Sequence, residues 1–421
     1  MVEKSESSRL ERAEARERVR KGFRTWFLTP PRRHGEVLYT REVSFLELFY
    51  DLVYVVLIAQ VSQHLAEHVG WRGILDFAIV FGLIWFAWFN GTFWHELHAR
   101  PDGRSRNYIF VQMGLLALLA VFAGEATGES GAAFAYTYAL LFTIFTWQWY
   151  TVQRIDDPRY RPVTTRYLTG MVLTVVLVIA SGIVDGARIW IWGFIVVAWA
   201  VAGFLMMTRS RTEGFGEGPT ASLVERLGLF TIIVLGEVVV GVVTGIIDAP
   251  ERSPLIVATG IVGLTIGYGI WWNYFDLLGR RVPDHTGAPL ATWLFAHLPL
   301  TMAIAAGGAA MVSLIEHAGY IRTEPESALL LSISVAVVLL GITVAVRALP
   351  EDEFPHGMAG QIAPTLVLAA LTAVLVGLLR PPPIVLVCLL VALLFLTWLR
   401  IFILYVALGG QPREEGIGEI E

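Results

Sequence analysis

SFLELFYDLVYVVLIAQ, residues 44–60, decides how this chain folds. Apart from Glu47 and Asp51 the run is apolar and aromatic until Gln60, it lacks Gly and Pro, and its apolar character continues to about residue 66. A helix needs ~20 such residues to cross ~30 Å of hydrocarbon, so this stretch reads as a transmembrane helix that carries two carboxylates. Comparable runs follow near residues 73–94, 108–126, 131–152, 165–184, 189–207, 226–247, 254–275, 290–314, 327–346, 359–379 and 383–407. The expected fold is therefore all-α, a polytopic transmembrane bundle of about twelve helices.

Composition points the same way. The 421 residues are 55% hydrophobic and 16% charged, against ~25% charged in soluble domains, and the mean hydropathy is +0.62. The net charge of -5 carries little meaning as an average, because the charges gather at the two ends and in short loops. The bilayer is thus the expected partner, with a small ion or solute as cargo, and no nucleic acid. A single cysteine, Cys388, rules out an intramolecular disulfide and a cysteine-based metal cluster. No apolar core with a small-residue cleavage site precedes residue 41, so no cleavable signal peptide is expected.

Arginine placement tests the span count independently of hydropathy. With the N-terminus inside, thirteen loop arginines fall on the cytoplasmic side and five on the outer side, the bias expected of cytoplasmic loops. Both termini are then expected to be cytoplasmic. The division expected is 1–40 as a charged N-terminal segment, 41–211 as a first six-helix half, 212–407 as a second, and 408–421 as a C-terminal tail. Within the first segment, residues 1–29 read as a charged helix stopped by Pro30 and Pro31, either a solvated tail or a membrane-surface element. Two parallel halves are suggested by Arg41 four residues before Phe45 and Arg226 four before Phe230, and by WFAWFN (85–90) against GIWWNYFD (269–276), although Asp51 and Glu237 fall one residue out of register.

Ionisable groups inside a span are costly unless paired or wetted, so they are the first places to look for function. Glu47 and Asp51 are four residues apart on one helix face, able to hold a cation, share a proton, or bond to neighbouring helices and fix packing. Glu237 stands eleven residues beyond Arg226, about 16 Å along the helix and near the bilayer midplane; Gly236 and Gly241 on either side invite a closely packed neighbour. His297 precedes Pro299, which interrupts the backbone ladder; it is read as a proton partner or as a packing residue. Asn90, Asn273 and Asp276 end two spans among tryptophans, as an interfacial belt or as part of a polar pathway. Arg41, Glu225 and Arg226 are read as anchors at the cytoplasmic face. His64-Leu-Ala-Glu67-His68 and His95-Glu-Leu-His98 put histidine pairs on single faces, but no further acidic ligand accompanies them, so no metal and no other cofactor is expected. Neither a phosphate-cradling glycine loop nor a nucleophile elbow occurs, and the chain is not expected to be an enzyme.

FLELFYDLVYVVLIAQ (45–60), the tryptophan-rich end of the second span, ERLGLFTIIVLGE (225–237), IWWNYFD (270–276) and FAHLPL (295–300) resemble, in order and spacing, the bacterial low temperature requirement A family. The resemblance covers most of residues 41–316. It implies a multi-pass inner-membrane protein linked to growth in the cold, with acid-bearing motifs at Glu47, Asp51, Glu225, Arg226 and Glu237. Arg-x-x-x-Phe at the head of each half is also similar to the Arg-x-x-x-Phe-Ser-Asp motif of a lysosomal-type potassium channel family, but Ser-Asp is absent from both halves. The function expected is an ion-coupled small-solute transporter or a cation channel, with Glu47, Asp51, Glu237 and His297 on a polar path. Its rivals are a non-transporting scaffold or sensor in cold or stress adaptation, and a membrane-embedded enzyme built on His64 and His68. No motif names the substrate or the oligomeric state.

Overall fold

Inside hydrocarbon no water satisfies backbone amides, so apolar segments of this length form helices. The computed structural model describes residues 2–34, 36, 44–209, 221–279, 281–283 and 287–410. After α1 (Val2–Leu28) come twelve long helices: α2 (Phe45–Glu67), α3 (Trp71–His98), α4 (Gly103–Ala123), α5 (Gly131–Ile155), α6 (Arg161–Ile183), α7 (Arg188–Arg209), α8 (Ala221–Asp248), α9 (Pro254–Leu277), α10 (Gly287–Glu316), α11 (Pro325–Val346), α12 (Ala359–Leu379) and α13 (Pro383–Ala407). Among the described residues eleven helices are both long and apolar enough to span a membrane. The twelfth long helix, α5, has the length, but its Thr, Tyr, Trp and Gln residues dilute its apolar character.

Local chemistry sets the ends. Ser44 and Glu47 form a reciprocal cap at the start of α2, Glu47 N donating to Ser44 Oγ (3.3 Å) and Ser44 N to Glu47 Oε2 (3.0 Å). Asp102 caps α4 through the Ser105 amide (2.8 Å). Prolines occupy the first turns of α6, α9, α11 and α13, where a missing backbone donor costs nothing. Arg380 takes a left-handed conformation (φ 51°) that ends α12, and its Nε donates to Thr323 O (3.0 Å), tying the turn into α13 to the connection between α10 and α11.

Neighbour relations repeat along the chain. Within α2–α7 the pairs α2 and α3, α2 and α4, α4 and α5, α5 and α6, α6 and α7, α3 and α7, and α3 and α5 pack together. Their counterparts six helices later, α8 and α9, α8 and α10, α10 and α11, α11 and α12, α12 and α13, α9 and α13, and α9 and α11, do so as well. The two sets meet where α10 lies against α2, α3 and α7, and where α8 lies against α2 and α3. The outward faces of the peripheral helices are apolar, with Leu368, Leu371, Leu375 and Leu378 of α12 all well exposed. A water-facing surface of that kind would be unfavourable, whereas hydrocarbon solvates it.

The charged N-terminal segment is only partly solvated. Residues 13–26 of α1 are exposed, whereas Pro31 and Arg32 are buried. Arg32 N donates to His98 O (3.0 Å), its Nε to Ala99 O (2.8 Å) and its Nη2 to Glu96 O (2.6 Å), so the guanidinium serves carbonyls at the C-terminal end of α3. His34 pairs with Asp156 just beyond α5 and stacks on Tyr160.

Candidate functional site

The acids of α2 meet a counter-ion from α8. Arg226 is fully buried; its Nη2 donates to Asp51 Oδ1 at 2.8 Å, and its Nη1 lies 3.9 Å from Glu47 Oε1. Trp88 of α3 donates its indole N–H to the same Asp51 oxygen (2.9 Å) and stacks on Phe230 of α8 with ring centroids 4.2 Å apart. Three helices are thereby tied around one carboxylate. Arg226 was expected at the membrane surface. It is buried instead because α8 begins at Ala221, five residues earlier than the apolar run, which carries Arg226 inside the second turn. Glu225, its neighbour, is exposed, and Arg41 lies outside the described residues.

Glu237 is 3% exposed and lies on the side of α8 facing α10. The helices approach there at backbone contact: a Cβ on Gly308 would lie within about 3 Å of Glu237 backbone and Cβ atoms, and one on Gly241 would meet Gly308 O. Gly236, expected to share this role, has open space around it. The polar neighbour of Glu237 is Ser62 of α2. The Ser62 hydroxyl bears on the Glu237 carboxyl, Glu237 Oε1 itself has no close hydrogen-bond partner among the described residues, and among those residues no salt bridge reaches Glu237, in contrast to Asp51.

His297 has both ring nitrogens engaged. Because a carbonyl only accepts, Nδ1 donates to Trp293 O (2.8 Å), and Nε2 of the neutral ring accepts from the Tyr274 hydroxyl on α9 (2.9 Å). Asn90 and Asn273 act as helix bridges. Asn90 donates to Phe86 O (2.7 Å) and accepts from Tyr167 of α6; Asn273 donates to Gly269 O (2.8 Å) and to Leu394 O of α13 (3.2 Å). Asp276 is exposed and accepts from the Trp398 indole (2.6 Å).

Asp51 and Glu237 both lie where α2, α8 and their neighbours meet, whereas His297 belongs to the α9–α10 contact. None of the three lines the cavity that lies between α3, α6, α7 and α10. His64 and His68 stack on each other, and His95 and His98 donate to backbone carbonyls of Gly91 (2.6 Å) and Arg32 (3.0 Å). Among the described residues no group of three or more His, Cys, Asp or Glu is placed to hold a metal. Reading the sequence missed Trp88, Ser62 and Tyr274, since a lone indole, serine or tyrosine in an apolar run gives no signal until its partner helix is known.

A bundle of long apolar helices, lipid-solvated outside and crossed inside by a buried Arg–Asp–Glu cluster, defines a multi-pass membrane protein. The chain belongs to the bacterial low temperature requirement A protein (LtrA) family, whose family model matches residues 42–398. A relative, an uncharacterized protein of Rhizobium meliloti (strain 1021), is 27% identical over 292 residues, which cover 62% of this chain and 66% of the relative. The chain thus spans just under two thirds of that relative's length. No solved structure matches it.

Proposed function

We propose that the protein is an inner-membrane carrier or channel for a small cation, or an ion-coupled carrier of a small solute, with Glu237 as the group that takes up the ion. Two six-helix halves would put both termini on one side, and the arginine excess of the loops on that side supports the cytoplasm. One observation carries this reading: Glu237 is a carboxyl buried about halfway along a membrane helix, with no basic partner among the described residues and the Ser62 hydroxyl of α2 as its polar neighbour. A lone carboxylate in hydrocarbon is unfavourable, so it binds a proton or a cation there, and releasing that ion requires access to water. Glu47 and Asp51, by contrast, are compensated by Arg226 and hold the two halves together. His297, hydrogen-bonded on both nitrogens, acts by orienting Tyr274 rather than by relaying protons in this conformation.

Liposomes reconstituted with the purified protein test this reading, with acid-pulse proton flux read by an entrapped pH-sensitive dye and rubidium uptake measured alongside. Glu237→Gln abolishes the flux and leaves the thermal unfolding midpoint unchanged or raised, because it removes an uncompensated charge. Flux equal to wild type in a folded Glu237→Gln protein rules the assignment out.

A specific observation also favours a scaffold or sensor role in cold or stress adaptation: residues 30–34 are docked on the ends of α3 and α5 and would couple α1 to the bundle. Deleting residues 1–29 separates the two readings. Transport survives the deletion, whereas a scaffold loses its growth phenotype.

A further inference from the structure

Between α6 and α7, with α3 and α10 as its floor, runs a cleft of about 220 Å³. Its walls are aromatic and sulfur-bearing, including Phe89, Phe93, Phe194, Trp199 and Met207. Leu173 and Phe194 on its rim are 52% and 60% exposed on the outer surface of the bundle, so the cleft opens sideways, into the lipid. One charged residue lines it, Arg166, in the second turn of α6 and exposed. Tyr167 beside it is committed to Asn90, which leaves Arg166 as the polar group available at that end.

Length and charge together identify what fits. The α6 lining runs from Arg166 to Leu177, eleven residues or about 16 Å at 1.5 Å per residue. That matches half of a ~30 Å hydrocarbon core, the depth reached by one leaflet's acyl chain. Arg166 stands at the end of α6 nearest the docked N-terminal segment, at headgroup level, where a guanidinium binds phosphate in a forked geometry.

We propose that this cleft binds a phospholipid with an anionic headgroup from the leaflet on the N-terminal side, its acyl chain between α6 and α7 and its phosphate on Arg166. The site is separate from Glu237 and does not depend on the transport reading. Lipid in the cleft packs directly on Phe89 and Phe295, and Phe295 belongs to α10, the helix that also contacts Glu237.

Native mass spectrometry of the full chain in detergent tests this, with phosphatidylglycerol and phosphatidylcholine of identical acyl chains added in turn. The wild type retains phosphatidylglycerol preferentially, and Arg166→Gln lowers that retention about fivefold, the effect of one basic residue at an anionic headgroup. Ala198→Phe, which fills the wall of the cleft, abolishes tight retention of both lipids. Should Ala198→Phe unfold, Ala202→Phe at the exposed mouth replaces it. Equal retention of the two lipids by the wild type overturns the headgroup assignment, and undiminished retention in a folded cleft-filling variant overturns the site.

Discussion

A carboxylate in a membrane helix is legible in a sequence, but its partner is not. Asp51 and Arg226 are 175 residues apart along the chain, and only the packing of α2 on α8 brings them to 2.8 Å. The pair is incompletely bonded: Asp51 Oδ2 and Arg226 Nε and Nη1 make no hydrogen bond among the described residues. Such a pair gives little net stability over an apolar replacement, yet removing one member strands the other. Asp51→Asn is therefore expected to cost about 3 kcal/mol, the low end for a broken buried pair because Glu47 remains near Arg226. The double variant Asp51→Leu/Arg226→Met loses less. Thermal unfolding of the purified proteins checks the order, and a double variant less stable than Asp51→Asn contradicts it. Glu237 differs from Asp51 in this respect, since depth alone singled it out and no cationic side chain among the described residues pairs with it.

At the scale of elements, the joint between the N-terminal segment and the bundle is the most pH-responsive feature outside the membrane. Burial opposes ionisation of Asp156, but the hydrogen bonds from the His34 ring and the His34 amide (3.0 Å) outweigh it and hold the carboxyl below the usual carboxylate range. A carboxyl depressed in the folded state contributes stability that is fully present above its unfolded value of ~3.9 and is lost as pH falls through the lower folded value. Docking of residues 30–34 should therefore hold at neutral and mildly acidic pH and fail only below about pH 4. Asp156→Asn should release it at neutral pH, seen as faster tryptic cleavage at Arg32 and Arg33; unchanged cleavage would show that the Arg32 contacts alone hold the segment. Sequence patterning placed the helix and its proline stop correctly. It gave no sign that the residues just beyond the prolines dock, because their partners, His98, Glu96 and Asp156, lie on or beside other helices.

For the whole molecule, orientation is the property with the widest consequences. The loops joining α3 to α4 and α5 to α6 carry Arg100 and Arg159, Arg154 lies in the last turn of α5, and residues 30–34 dock on this same face. In a Cys388→Ser background, a membrane-impermeant maleimide applied to intact cells should label Glu251→Cys, between α8 and α9, and reach Asp157→Cys only after permeabilisation. Labelling in the opposite order reverses the inside assignment of both termini. The helix class, the approximate course of the long apolar helices and the position of Glu237 about halfway along one of them were legible in the sequence, although α8 starts five residues ahead of its apolar run. They follow from a run of apolar residues, from a hydrocarbon thickness and from a fixed rise per residue, none of which needs a neighbour. The tertiary structure alone decided which acid is compensated, that Gly241 rather than Gly236 lets α10 approach, and that Arg226 is a buried counter-ion rather than a surface anchor. Those outcomes depend on which helix faces meet, and an apolar helix offers lipid and protein much the same surface, so its sequence leaves that choice to the packing of the bundle.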